Sequence, residues 1–382
     1  MSSTIYNYTI IGAGCAGIHL ALAIMEEPFF ADKQILILEK EAKDSNDRTW
    51  CFWEEGSGKW DQLLQHSWAK GKFIDSKRTK QLEMEDYQYK MLHAIDFYNN
   101  GISKIKAAAN FHWKTEEVQN TETKKEAVHL FGKNKTYKTE HLFDSRIHPD
   151  FFKAKDKHSR LLQHFKGWVI ETEEDFFDPT EFTMMDFRLK WEGSTSFNYV
   201  LPTSKRKALV EFTLFTAELI PDDGYDQMMR EYLKKYWNLE NFRISNTEQG
   251  IIPMSDYPFH KHHNNKITKI GTAGGWVRPS SGYAFKLSEK YAHQIVQNIK
   301  AGKRPSLHVA NSRFRKYDTL LLDILKNKNE RGADLFSTMF NNNKTTQIFK
   351  FLDEETNFWQ DLRIMASFNP LPFLKAVLNQ VK

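Results

Sequence analysis

The chain has 382 residues, 40% of them hydrophobic and 27% charged, which suits two or three globular domains and excludes a disordered polymer. A formal charge of +5 spread without a Lys/Arg block supplies no nucleic-acid-binding arm. Two cysteines outside any CxxC pair exclude a disulfide framework and a zinc site, and imply a reducing compartment.

In chain order, Tyr8–Ile11 reads as a strand, GAGCAG as a tight turn, IHLALAIMEE as a helix and QILILEK as a second strand. After Glu39, a segment rich in Trp and charge (KDSNDRTWCFWEEGSGKW) reads as a loop. Residues 120–146 read as short strands with polar turns. Residues 167–219 read as a run of strands whose apolar–polar alternation predicts an antiparallel sheet with one covered face. An amphipathic helix is expected over Tyr225–Trp237, a glycine-dense segment over 271–282, and a further helix over LSEKYAHQIVQNIKAG. The part from about 305 to 382 is helical, with no run near the roughly 18 apolar residues of a membrane span. The HKHH run (His260–His263), set among Asn and Lys without ligand carboxylates nearby, reads as an exposed loop rather than a metal site.

Gly12, Gly14 and Gly17, with Ala16 in the same turn, form GxGxxG between a strand and a helix. The first glycine permits the turn, and the second lets backbone approach a pyrophosphate. The third lets helix pack on strand, with the helix N-terminus facing the negative charge. Glu39, at the end of the second strand, is placed to accept ribose hydroxyls. A second glycine-rich segment far downstream matches the late strand–helix junction with which hydroxylase- and reductase-type flavoproteins close an FAD site. Gly271, Ala273 and Gly274 would meet the cofactor there, and Thr272 stands where such proteins carry Asp. FAD is therefore expected rather than NAD. The expected fold class is α/β: a Rossmann-type FAD-binding domain, glutathione-reductase-like or hydroxylase-like, with an inserted antiparallel-sheet substrate domain and a C-terminal helical region. The expected boundaries are 1–70, 120–165 and 245–300 for the first, 71–119 and 166–244 for the second, and 301–382 for the third.

From DRTWCFWE (Asp47–Glu54) onward the sequence resembles the FAD-dependent lycopene cyclases of bacteria and plants. The likeness continues through FDSR (Phe143–Arg146), MDFR (Met185–Arg188) and YVLPTSKRKALVEFT (Tyr199–Thr213). EQGIIPM (Glu248–Met254), GTAGGWVRPSSGYAF (Gly271–Phe285) and FLDEET (Phe351–Thr356) extend it over nearly the whole chain. The resemblance implies cyclisation of the linear end groups of lycopene, or of related carotenoids, to β-ionone rings. It also implies FAD in its reduced form without net redox, with NAD(P)H as reductant, and a cytoplasmic protein held peripherally at the inner membrane. The family's catalytic glutamate falls on Glu211, while Phe212 replaces a second one. FLDEET reads as structural.

Ring closure requires protonation of an alkene, stabilisation of a tertiary cation and exclusion of water. Flanked by Leu209, Val210 and Phe212, Glu211 would be partly desolvated and stay protonated near neutrality; the plain alternative is a glutamate facing solvent. Aromatic faces stabilise cations, and an aromatic content of 14% suits either a large apolar cavity or a Phe-rich core. Trp50, Phe52, Trp53, Tyr283 and Phe285 are the candidates, with Trp50 and Trp53 on one face if extended. Asp186 is either a second acid near the cation or a structural partner of Arg188. Arg48 either meets FAD or pairs with Asp47 at the surface, and Arg146 either braces the flavin site or holds a turn. Two other functions fit the same sequence, an FAD-dependent monooxygenase or polyprenyl reductase and a carotenoid carrier that keeps FAD structurally. Reductant consumption per product separates the first, and catalysis itself the second.

Overall fold

The computed structural model describes residues 4–154, 158–310 and 312–370. It opens with β1 (Ile5–Ile11), α1 (Cys15–Met25) and β2 (Ile35–Glu39). Every residue of β2 (ILILE) is buried, as expected for a parallel strand covered on both faces. The chain then leaves this sheet through β3 (Thr49–Glu55), β4 (Leu64–Trp68), β5 (Lys70–Ile74), β6 (Thr79–Leu82) and β7 (Tyr87–His93). It returns by α2 (Ala94–Ala107) to β8 (Phe111–Thr115), which pairs in parallel with β2. Next come β9 (Val118–Thr123), β10 (Val128–Gly132), β11 (Thr136–Asp144) and the short α3 (Pro149–Lys153). Then β12 (Arg160–Glu171), β13 (Glu181–Asp186), β14 (Thr195–Ser204) and β15 (Lys207–Thr216) are followed by α4 (Asp222–Trp237) and β16 (Arg243–Ser255). The short β17 (Ile267–Lys269) precedes α5 (Phe285–Lys300), and α6 (Ser312–Asn327), α7 (Gly332–Asn342), α8 (Thr345–Leu352) and α9 (Phe358–Ala366) follow.

Among the described residues the strands form three sheets. The first runs β8-β2-β1-β11-β10-β9, with β17 beside β11. Its centre is parallel, and β1 lies between β2 and β11. The chain order reverses at β1, which opens a crevice at the carboxyl ends of β1 and β11. α1 packs between this sheet and α5, whose Leu287, Tyr291, Ile295 and Val296 lie on its buried side. The second sheet runs β16-β12-β15-β14-β13-β5-β6 and is antiparallel except between β13 and β5. The third is β3-β7-β4.

Several expectations are corrected. Thr49–Glu55 is a strand, not a loop; both its faces are covered, so it lacks the alternation that marks a half-exposed strand. The second sheet is likewise covered on both faces, by α4 on one side and by an apolar cluster that includes α7 and α8 on the other. Residues 94–115, expected with the substrate sheet, belong to the first, because the parallel β2–β8 pair needs a crossover and α2 supplies it. Conversely, β12 and β16 carry 160–165 and 245–255 into the second sheet.

Candidate functional site

The crevice is shaped by glycines. Gly12 adopts φ +91°, and a Cβ there would lie 2.1 Å from Ser145 Oγ at the end of β11. Around Gly14 a Cβ would meet nothing within 4 Å, so this backbone is open to approach. No side chain caps α1, and its first turn carries no acidic residue, which suits an anionic ligand. Glu39 is buried, and its carboxylate accepts from the Ala13 amide at 2.6 Å and the Glu41 amide at 3.0 Å. It thus fixes the turn itself. Arg146 forms two hydrogen bonds to Asp144 through Nε and Nη2, and also donates to the Val118 carbonyl at 2.9 Å. Lys269 joins the same carboxylate at 2.8 Å. Arg146 therefore braces the end of β11. Arg48 is half exposed beside Asp47, and both residues line the mouth of a larger cavity.

That cavity measures about 400 Å³ and lies between the second sheet, β3 and the C-terminal helices. A Cβ at Gly271 (φ +59°) would be 3.2 Å from the Ala16 Cβ. The next residue, Thr272, lines the cavity, so crevice and cavity share a wall. Ala273 and Gly274 are buried behind it, where a Cβ at Gly274 would lie 2.4 Å from the Lys269 carbonyl oxygen.

Glu211 faces the cavity from β15, with Leu209, Thr213 and Phe215 on the same face. Val210 and Phe212, expected to flank it, point to α4 instead, as a strand period of two requires. Glu211 and Tyr199 are paired across β15 and β14, Glu211 and Gly167 across β15 and β12, and Gly167 and Glu248 across β12 and β16. One row of the sheet therefore reads Glu248, Gly167, Glu211, Tyr199. Thr213 Oγ1 donates to Glu211 at 2.6 Å and Thr49 Oγ1 donates to Glu248 at 2.8 Å. Burial, reinforced by the Glu248 charge, pushes the Glu211 carboxyl up from 4.5 to about 8. Burial also raises Glu248, against the Thr49 hydrogen bond. Tyr199 donates to the Tyr89 hydroxyl, and burial pushes both phenols and the neighbouring Cys51 thiol up.

The expected aromatic set divides. Trp50, Tyr283 and Phe285 line the cavity. Phe52 stacks behind them on Phe285 at 4.9 Å. Trp53 stacks on Phe349 at 4.6 Å and donates through Nε1 to Asp353 at 2.6 Å. Trp50 and Trp53 are three residues apart, so they face opposite sides of β3, which corrects the shared-face expectation. Asp353, of FLDEET, is raised to about 7 by burial and the nearby Glu355, and it supports Trp53 from behind.

Asp186 does not line the cavity. It is fully buried on the α4 side, held by Arg188 and by the Tyr232 hydroxyl at 2.8 Å. We expect Asp186→Ala to cost about 2–4 kcal/mol, read as a lower urea midpoint, with activity per folded molecule preserved. Normal stability with lost activity would instead return Asp186 to a chemical role. Of the HKHH run, His260 and Lys261 are exposed as expected, whereas His262 and His263 are half-buried: His262 stacks on His148 at 4.0 Å with the Asp150 carboxylate close by, and His263 accepts from the Lys269 amide at 3.0 Å.

Sequence reasoning assigned no role to Gly167, Glu248, Thr49, Tyr89 or Tyr199. The sequence signal for Gly167 was a glycine inside a strand, which marks a place where something approaches closely.

Comparison with known proteins gives the following. A family model described as lycopene cyclase protein matches residues 8–378. A search of curated sequences finds no significant match. Among solved structures, the chain is similar to a geranylgeranyl bacteriochlorophyll reductase-like protein from Thermoplasma acidophilum, with TM-score 0.61, 11% identity and coverage of 97% and 98% of the two chains. It is also similar to the flavin-dependent brominase Bmp2, with TM-score 0.58, 15% identity and 99% coverage of each. A flavoprotein/dehydrogenase from Cytophaga hutchinsonii gives TM-score 0.57 and 12% identity over 96% and 100%. At these identities the likeness establishes the fold alone, a mixed α/β architecture that the chain shares with these proteins.

Proposed function

The chain belongs to the lycopene cyclase family, and from that premise we propose that it closes the linear end groups of lycopene into β-ionone rings, giving β-carotene, with no net redox change. The observation that carries the proposal is a carboxylic acid, Glu211, held protonated near neutrality on the wall of a largely apolar cavity. Such a group can deliver a proton to an alkene. Phe165, Phe197, Leu209 and Phe215 line the same space and exclude the water that would hydrate a cation. Trp50 and Tyr283 offer π faces to it. The crevice residues Gly12, Gly14, Ala16 and Gly17, with Gly271, fit FAD; when bound in its reduced form, supplied by NAD(P)H, FAD contributes negative potential. Arg48 at the shared mouth offers a cation to the cofactor's phosphates or ribose.

The test is product analysis in lycopene-accumulating cells, followed by reductant accounting on purified protein. Rings should form without stoichiometric NAD(P)H use. Reductant consumed once per product would favour a monooxygenase or polyprenyl reductase.

A cavity near 400 Å³ suits a drug-sized body, so it accommodates one end of a carotenoid while the remainder extends outward. α9 exposes Phe358, Trp359 and Leu362, with Trp359 76% exposed, and its next turn contributes Met365 to the cavity wall. Among the described residues no helix is long and apolar enough to cross a membrane. We read α9 as a docking face on the bilayer that holds the substrate, at the cytoplasmic side of the inner membrane. The sequence offers a second apolar, partly basic segment for this role, ASFNPLPFLKAVL (366–378), most of which lies outside the described residues. Replacing Phe358 and Trp359 with Ser should weaken vesicle co-sedimentation at least about tenfold, since each buried ring contributes roughly 1.5–3 kcal/mol. Turnover of detergent-dispersed lycopene should persist. Unchanged co-sedimentation would rule out this face.

A further inference from the structure

We propose that Glu211 and Glu248 work as an acid–base pair across Gly167, with Glu248 taking the ring proton after Glu211 has delivered one to the substrate. This inference rests on the cyclase reading above and adds to it a second catalytic residue.

The geometry begins with register. Gly167 pairs with Glu211 on one side and with Glu248 on the other, so the two glutamates lie on strands that share a single neighbour. Adjacent strands are about 4.8 Å apart, which sets the two glutamate backbones roughly 10 Å apart. Both side chains line the cavity. Between them Gly167 brings no side chain: a Cβ built there would stand 3.1 Å from Leu209 Cδ1, 3.3 Å from Glu248 Cγ and 3.5 Å from Glu211 Cβ. The glycine lets the two glutamate side chains close in over it from either side with nothing between them, and both face the cavity where a substrate end group would lie.

The two carboxyls are not equivalent. Each accepts a threonine hydroxyl, Glu248 from Thr49 on a different sheet and Glu211 from Thr213 on its own strand, a bond that works against the burial raising both. What separates them is the Glu248 charge, which adds to burial in keeping the proton on Glu211. Two interacting carboxyls of this kind hold one proton between them over a range of pH.

The reaction balances with these two groups. The O–H bond of Glu211 breaks as its proton bonds to the terminal alkene, leaving a tertiary cation. The π pair of the next alkene forms the ring carbon–carbon bond and moves the charge to a ring carbon. Glu248 removes the proton from the adjacent ring carbon, and that C–H pair becomes the ring double bond. No electrons are gained or lost, and the product is an isomer of the substrate. The proton on Glu248 then returns to Glu211 directly or through water. Which proton Glu248 removes decides where the ring double bond falls, so this residue also sets ring type.

The experiment uses flavin-loaded protein with lycopene in phosphatidylcholine vesicles, the flavin reduced, in D₂O. Wild type should place one deuterium in each ring; if it forms no rings, the cyclase reading itself fails before the pair is tested. Glu248→Gln should keep its flavin and its melting temperature yet lose roughly 10²-fold or more in β-ring formation. What it does form should carry a displaced double bond, and Glu248→Asp should partly restore the β product. A merely structural Glu248 would change the amount of active protein but not the double-bond position. β-Ring formation by Glu248→Gln at the wild-type rate overturns the pair. A slower reaction with the double bond in its normal place and no rescue by Asp also overturns it. Gly167→Val, whose side chain would push Leu209, Glu248 and Glu211 apart, should slow ring formation at least about tenfold while keeping flavin. Wild-type turnover by that variant counts equally against the proposal.

Discussion

Glu211→Gln is expected to yield a folded protein that keeps its flavin and forms essentially no rings, a loss on the order of 10²–10⁴-fold in turnover. Gln matches the shape of the protonated acid and can still accept from Thr213, so packing around the site is preserved. What it lacks is a transferable proton. The wild-type pH profile should carry the same information. With the Glu211 carboxyl raised to about 8 by burial and by Glu248, turnover should be flat through neutrality and fall as pH rises through about 8. The stability sign follows from linkage. The folded protein binds a proton that the unfolded chain, with an ordinary value near 4.5, releases earlier. This contribution is therefore fully present below 4.5 and is lost as pH climbs from there toward 8. Glu211→Gln removes that slope, so the variant should gain on wild type steadily across this interval. A parallel pair of stability curves, with ring formation intact, would take Glu211 out of the acid role.

What was legible in the sequence follows from how local each feature is. The β1–α1–β2 unit is contiguous, and its glycine spacing has a steric meaning that needs no partner. Glu211 follows from the resemblance, but its surroundings do not follow from the adjacent sequence: Val210 and Phe212 adjoin it along the chain, whereas Leu209 and Thr213 share its face. β3 reads as a loop from sequence because Trp50, Phe52 and Trp53 alternate into two separate cores, leaving no polar face to mark a strand. Glu248 could not be paired with Glu211 from sequence, because their proximity depends on the register of three strands. The placement of α2 and β8 beside β2 is of the same kind, since a parallel neighbour is chosen by the crossover rather than by the strand.

The glycine turn gives the second large effect, and two substitutions separate its possible meanings. A Cβ at Gly17 would stand 1.9 Å from the Gly12 carbonyl oxygen, a backbone atom that cannot move without displacing β1. Gly17→Val should therefore push α1 off the sheet, costing about 1–3 kcal/mol in stability. It should also weaken flavin retention roughly 10- to 100-fold, since each 1.4 kcal/mol of lost binding is tenfold. That result alone would fit any tightly packed turn. Gly14 is different: its φ of −78° is ordinary and a Cβ would meet nothing within 4 Å. In a turn that binds nothing, Gly14→Ala should leave the protein unchanged. In a pyrophosphate site, that open space is where the ligand lies, so Gly14→Ala should keep the wild-type melting temperature of the flavin-free protein yet lose affinity for FAD. Equilibrium dialysis against FAD, beside thermal unfolding without it, reads the two quantities independently. Unaltered FAD affinity in Gly14→Ala would mean that the pyrophosphate does not approach the backbone at this turn.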